Sequence, residues 1–235
     1  MAPIQVVGHR GAAAEAPENT LSALERAWQS GAHWCEVDVQ RTADGVAVLV
    51  HDDSWQRTAG VDVTVRETPW STVAGFDVGG WFAPNAAPEA VPSLQAALAW
   101  SDRLSLNLEI KSPQFDAGLA NAVASAVRGA SVQHRCLLSC FDHTVIDALA
   151  DQYDDLQLGY VGHEPAHRRH PGVAWQILEV GALLDHPEWC AQLHQQNCRV
   201  WAWTVDSLKQ ARQLAECGVE GLITNDPRLL VQHFA

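Results

Sequence analysis

Eight short apolar runs, most of them separated by helical patterns, constrain this chain more than any other feature of its sequence. Strands are read at residues 4–8, 34–39, 104–110, 135–139, 156–161, 173–178, 199–205 and 221–224. Helices are read at 93–100, 115–128, 144–151, 187–196, 208–216 and 227–233. Another opens at Pro17-Glu18-Asn19-Thr20, with Leu21, Leu24, Ala27 and Trp28 at helical spacing before Gly31 ends it. Parallel strands must be joined by crossovers, and the usual crossover is a helix. The order therefore predicts an α/β fold. Eight strands favour a closed (β/α)8 TIM barrel over an open doubly wound sheet, whose G-x-G-x-x-G turn is absent from the sequence. The 235 residues fit one such barrel, typically about 250 residues long, so 1–235 is expected to be a single domain.

Two stretches break the rhythm. A further apolar run at 46–50 follows Asp44-Gly45, a dipeptide suited to a tight turn. Residues 53–92 are then rich in Gly, Pro, Trp and Ala and are too long for an ordinary loop. They read as a small insertion after strand two, lying over the barrel mouth, with Trp81 and Phe82 as lid candidates. Residues 162–172 are too short and too polar for a full helix, so His163, His167 and His170 read as parts of a solvated loop.

Charge and cysteine content exclude several function classes. A net charge of -13 with no run of Lys or Arg argues against a nucleic-acid partner. A small phosphate ester stays compatible, because a bound divalent cation can reverse the local field. Six scattered cysteines without C-x-x-C read as reduced thiols. No stretch approaches 18 uninterrupted apolar residues, so no membrane span is expected. With no basic region ahead of an apolar leader, a cytoplasmic location is the expectation. No pattern sets an oligomeric state.

Residues two apart on a strand point the same way. Glu36 and Asp38 therefore project together, and so do Glu109 and Lys111. Charged side chains on inward faces of a barrel are costly unless something pairs them. Three carboxylates with room for water suit a hard divalent cation, Mg2+ or Ca2+. His9 and His51 each follow an apolar strand directly, at the carboxyl ends where barrel enzymes carry their active sites. Imidazoles that titrate near neutrality can serve as general acid and base. A structural salt-bridge network of the acids with Arg10 and Lys111 is the competing reading, but three acids against two bases leave a negative charge unpaired. Asp52 reads as orienting His51 or capping a turn, and Glu18 and Asn19 as shaping a helix start. Gly8 and Gly11 would let the backbone approach a ligand.

Taken in order, these segments resemble one known family. They are His9-Arg10-Gly11, Pro17-Glu18-Asn19-Thr20, Glu36-Val37-Asp38-Val39, Asp44-Gly45, His51-Asp52, Arg57-Thr58, Glu109-Ile110-Lys111, Trp203-Thr204-Val205 and Gly221-Leu222-Ile223-Thr224. Their identity, order and approximate spacing resemble the glycerophosphodiester phosphodiesterases of bacterial cytoplasmic type, over essentially the whole chain. The resemblance implies a (β/α)8 barrel with an insertion after strand two. It implies metal-dependent hydrolysis of glycerophosphodiesters to glycerol 3-phosphate and an alcohol. It further implies that Glu36, Asp38 and Glu109 hold the metal, that His9 and His51 form the acid–base pair, and that Arg10 and Lys111 bind phosphate. Trp203 resembles an aromatic residue near the alcohol portion of the substrate. The chain departs at Thr224-Asn225-Asp226-Pro227, where many relatives read Thr-Asp-x-Pro, which leaves the role of that turn open. A lysophospholipase D-like or phospholipase-like enzyme on lipid substrates is the second reading, set back by the lack of a basic membrane-binding face. A non-catalytic barrel would be free to lose an acid or a histidine, and this chain keeps all five.

Overall fold

The computed structural model describes residues 3–111 and 116–234. Within them run the strands β1 (Gln5–Gly8), β2 (Trp34–Arg41), β3 (Ala47–Leu49), β4 (Ser105–Ile110), β5 (Cys136–Cys140), β6 (Gln157–Gly162), β7 (Trp175–Glu179), β8 (Arg199–Trp203) and β9 (Gly221–Thr224). Pairing runs β1-β9-β8-β7-β6-β5-β4-β2, and β2 returns to β1, so eight strands close a parallel barrel. β3 stands outside it, an antiparallel partner of β2 across the Asp44-Gly45 turn.

The helices are α1 (Leu21–Gln29), α2 (Gln56–Ala59), α3 (Trp70–Val73), α4 (Leu94–Trp100), α5 (Ala117–Gly129), α6 (His143–Gln152), α7 (Val180–Asp185), α8 (Glu188–Gln195), α9 (Leu208–Cys217) and α10 (Pro227–Phe234). Two apolar clusters seat them against the outside of the barrel, one built on β2, β4 and β5, the other on β8 and β9. α1 starts at Thr20, whose hydroxyl accepts the Ala23 amide at 3.2 Å. Its buried stripe is Ala23, Leu24 and Ala27. Trp28, expected on that stripe, is instead 42% exposed and lies under the Arg103 guanidinium, 5.0 Å from its ring centre. The helix expected from 115 begins at Ala117, where the Asp116 side chain caps the Leu119 amide, and residue 115 itself lies outside the described residues. α7 was not expected: six residues with an internal glycine carry little periodic signal, but the Glu179 carboxylate caps the Ala182 amide at 2.8 Å. No helix forms between β6 and β7. No described helix is long and apolar enough to cross a membrane. All six cysteines are free thiols, and burial pushes those of Cys136, Cys140 and Cys190 up to about 12.

Inside the barrel, alternate residues form two tiers. The lower tier is apolar: Val7, Trp34, Leu137, Trp175, Ile177, Trp201 and Ile223 pack together. Trp34 and Trp201 meet edge to face at 5.3 Å. Gly221 makes room for them, since a Cβ there would lie 2.4 Å from the Trp201 ring. Overpacking of this kind costs about 1–3 kcal/mol. Gly221→Ala should therefore lower the melting temperature by roughly 2–12 °C, at about 2–4 °C per kcal/mol for a chain of this size. Thermal denaturation by circular dichroism reads it, and an unchanged melting temperature would mean that the tryptophan tier yields easily.

Residues 53–92 carry the two single-turn helices α2 and α3 and a small core of their own. Trp55, Val65, Val73, Val78 and Val91 pack against Val48 and Val50, and Phe76 meets the Trp55 ring at 5.7 Å.

Candidate active site

Continuing the inward alternation to the carboxyl ends of the strands replaces the apolar tier with polar groups. Above Val7 comes His9, above Trp34 come Glu36 and Asp38, and Glu109 is followed by Lys111. Because β2 pairs with β4 in the register Asp38 to Glu109, acids 71 positions apart become neighbours. One carboxylate oxygen from each of Glu36, Asp38 and Glu109 lies within 4.8 Å of the others. Glu36 and Asp38 are each 2% exposed. The Glu109 side chain is 12% exposed.

Two cations are built into this cluster. Lys111 Nζ lies 2.7 Å from Glu109 Oε1 and 3.1 Å from Asp38 Oδ1. Arg10 Nε stands 3.3 Å from Asp38 Oδ2, while Arg10 Nη1 donates to Glu18 Oε1 at 2.8 Å. Burial opposes the charge on Asp38, but Lys111 and Arg10 outweigh it and hold its carboxyl below the usual range. At Glu36 the Arg10 charge is outweighed. Burial first, then the charges of Asp38 and Glu109, push its carboxyl well up. Glu109 is raised by the same burial and by Asp38. Glu36 Oε2 accepts the Arg10 backbone amide at 2.9 Å. Its Oε1 is buried with no hydrogen-bond partner among the described residues. An orphaned carboxylate oxygen on a residue clustered with two more acids is what a divalent cation with oxygen ligands would satisfy.

The histidines flank the cluster. His9 Nε2 is 3.9 Å from Glu36 Oε2, and its Nδ1 is 2.7 Å from Asn225 Oδ1. Burial, then the Arg10 charge, lowers the His9 imidazole from its ordinary value. His51 Nδ1 meets Asp52 Oδ1 at 2.7 Å, and Arg57 Nε donates to Asp52 Oδ2 at 2.7 Å. That Arg57 hydrogen bond is the main reason the Asp52 carboxyl is pulled down to about 2. Arg57 also bridges to Glu18 and lies 5.5 Å from the Trp81 ring centre, so residues of the 53–92 segment reach the site. Beside His51 opens a cavity of about 320 Å³, lined by Asp52, Glu109, Lys111, Cys140 and Phe141 among others. Phe141 carries the aromatic surface onward to Trp203, ring centres 5.4 Å apart, and His163 joins both. His163 is exposed in the loop after β6, as expected, with its ring beside both of these aromatics, and His167 is largely exposed.

Four polar residues hold this arrangement and were not anticipated. Asn19, in a left-handed turn at φ 57, donates from its amide to Asp38 Oδ2 at 2.8 Å and accepts the Asp38 backbone amide at 3.0 Å. Asn19 and Glu18 therefore brace the acids and Arg10, and the helix start itself belongs to Thr20. Buried Gln40 donates to the carbonyls of Val50, His51 and Asp52, fixing the His51 loop. Asn225 and Asp206 stand behind His9. Gly8 and Gly11 permit close packing within the protein. A Cβ on Gly11, whose φ is 86, would come within 2.6 Å of Ala23, and one on Gly8 would meet the Gly11 carbonyl at 2.5 Å.

Comparison with known proteins bears on the fold and the family. A sequence profile of the Glycerophosphoryl diester phosphodiesterase family matches residues 9–229. A glycerophosphodiester phosphodiesterase of Caldanaerobacter subterraneus is 28% identical over 96% of both chains. One from Bacillus altitudinis is 26% identical over 95% of both. Among solved structures, an Oleispira antarctica phosphodiesterase in complex with the product sn-glycerol-3-phosphate superposes with a TM-score of 0.90 at 25% identity, covering 98% of this chain and 96% of that one. A glycerophosphodiester phosphodiesterase from Agrobacterium tumefaciens shares the fold, with a TM-score of 0.83 at 24% identity and coverage of 97% and 99%. With the profile spanning nearly the whole barrel and its polar tier, the chain belongs to the glycerophosphoryl diester phosphodiesterase family.

Proposed function

We propose that this enzyme hydrolyses glycerophosphodiesters to glycerol 3-phosphate and an alcohol, with Glu36, Asp38 and Glu109 holding a divalent cation and His9 and His51 moving the protons. The observation that carries the reading is the convergence of three buried acids with two imidazoles at one barrel mouth, Glu36 Oε1 being left without a partner. The cation, Mg2+ or Ca2+, supplies Lewis-acid stabilisation of charge on the phosphate oxygens when bound. Lys111 and Arg10 sit against the acids, each with under a fifth of its side chain exposed, and offer N–H donors to the non-bridging oxygens.

One imidazole takes the proton of the attacking hydroxyl or water as the new P–O bond forms. The other gives a proton to the departing alkoxide oxygen as the old P–O bond breaks, so charge does not accumulate on either. Asn225 and Asp52 fix the two rings at their Nδ1 atoms, which leaves each Nε2 for the substrate. Trp203, with Phe141, forms the surface on which the alcohol portion rests, and the 53–92 segment covers the mouth through Arg57.

Release of glycerol 3-phosphate from a panel of soluble glycerophosphodiesters tests the reading, run beside lysolipids. Turnover should fall to background in EDTA and return on adding Mg2+, Ca2+ or Mn2+. Activity that survives chelation removes the metal from the mechanism. Faster turnover of lysolipids would favour the lipid-acting alternative.

A further inference from the structure

The turn that departs from the family pattern holds a directed chain of hydrogen bonds ending on His9. Asn225 Nδ2 donates to Asp206 Oδ2 at 2.6 Å. The Asn225 backbone amide and the Thr224 hydroxyl both donate to Asp206 Oδ1, at 2.8 and 2.9 Å. Asn225 Oδ1 faces His9 Nδ1 at 2.7 Å. The His9 backbone is tied to the same strand, its amide donating to the Thr224 carbonyl at 2.7 Å.

The polarity of this chain has one consistent solution. An ionised carboxylate only accepts, so the NH2 of Asn225 must face Asp206 and its carbonyl oxygen must face His9. A carbonyl oxygen also only accepts, so His9 Nδ1 must carry a hydrogen. A neutral imidazole has a single N–H, which leaves Nε2 with its lone pair on the side of Glu36.

We infer that Asp206 and Asn225 are positioning residues that lock neutral His9 as the Nδ1–H tautomer and aim its Nε2 lone pair at the reacting atoms. The consequence for activity rests on the reading of His9 as a proton-transfer group; the tautomer itself does not. The two histidines are thereby oriented by different means. His51 has a carboxylate directly on its Nδ1, while His9 has a neutral amide, with the carboxylate one residue further back.

The test is 15N NMR of the full chain labelled at histidine, at alkaline pH where the rings are neutral, with His9 assigned by the resonance lost in His9→Gln. The wild type should give a protonated-type Nδ1 and an unprotonated Nε2. Asn225→Ala should lose that signature and cost on the order of 10²-fold in kcat, the loss expected when a reacting group is misdirected, with KM changed less than about threefold. Asn225→Asp alone places two carboxylates side by side and should be impaired. The exchange Asp206→Asn with Asn225→Asp restores the donor–acceptor order and should recover both the tautomer and most of the turnover. An Nε2–H wild type, a signature that survives Asn225→Ala, or an exchange variant no better than Asn225→Asp would each overturn the inference. Should the tautomer behave as expected while His9→Ala keeps full activity, the relay stands and the catalytic role of His9 falls.

Discussion

Alanine at His51 or at His9 is expected to lower kcat by about 10²–10⁴-fold, the usual contribution of a positioned general acid or base. Neither ring contributes a carboxylate to the acid cluster, so binding of Mg2+ or Ca2+ by calorimetry should be unchanged. Neither is a core residue. The His51 side chain is 36% exposed and the His9 side chain 18%, so no large cavity opens and the melting temperature should move little. The losses should not add in the double variant, because groups that act on one transition state fail together. Steady-state rates of glycerol 3-phosphate release decide it. Turnover within tenfold of wild type in either single variant removes that histidine from proton transfer.

Why these two histidines and Asp52 were legible, and Asn225 and Asn19 were not, follows from the range of the interactions. A strand imposes a period of two, so Glu36, Asp38, Glu109 and Lys111 could be placed on one face from local sequence. His9 and His51 announced themselves by following apolar strands. Asn225 reaches His9 across 216 positions, and only because closure of the barrel lays Gly8 beside Thr224. Asn19 reaches Asp38 across 19 positions, because the left-handed turns at Arg10 and Asn19 fold the loop after β1 back over β2. Both residues read locally as turn or helix-start chemistry, and such chemistry gives no hint of a distant acceptor. The barrel count was robust for the opposite reason. Each strand had its own apolar run, so losing the helix between β6 and β7 did not disturb the order. Trp28 misled because its indole can lie under the guanidinium of Arg103 and still occupy a position of helical spacing.

The second large effect concerns the cation, and it is read as stability. A divalent ion present at about 100 times its Kd should stabilise the fold by about 2.7 kcal/mol, or roughly 5–10 °C in a chain of this size. The gain should grow with pH, and the sign follows from the acids. Without the ion, Glu36 and Glu109 hold their protons more tightly in the folded chain than at their ordinary value of 4.5, because of burial first and then the charge of Asp38, to which Glu109 adds at Glu36. Their contribution is fully present below about pH 4.5 and is lost as pH rises through the raised values. Asp38 runs the other way: its stabilising pairing with Lys111 and Arg10 is present above its ordinary value of 3.8 and is lost on acidification. The metal-free protein therefore weakens on the alkaline side through Glu36 and Glu109. A bound cation favours the ionised form of those same carboxylates and displaces their protons. Glu36→Gln removes the carboxylate whose oxygen has no partner while keeping an acceptor for the Arg10 amide. The metal-free variant should be at least as stable as wild type above neutral pH, and the same ion concentration should no longer raise its melting temperature. Scanning calorimetry with and without Mg2+ or Ca2+ across that pH range measures both. A full ion-induced shift in Glu36→Gln, or a wild-type shift that shrinks as pH rises, would show that the three acids do not share an ion.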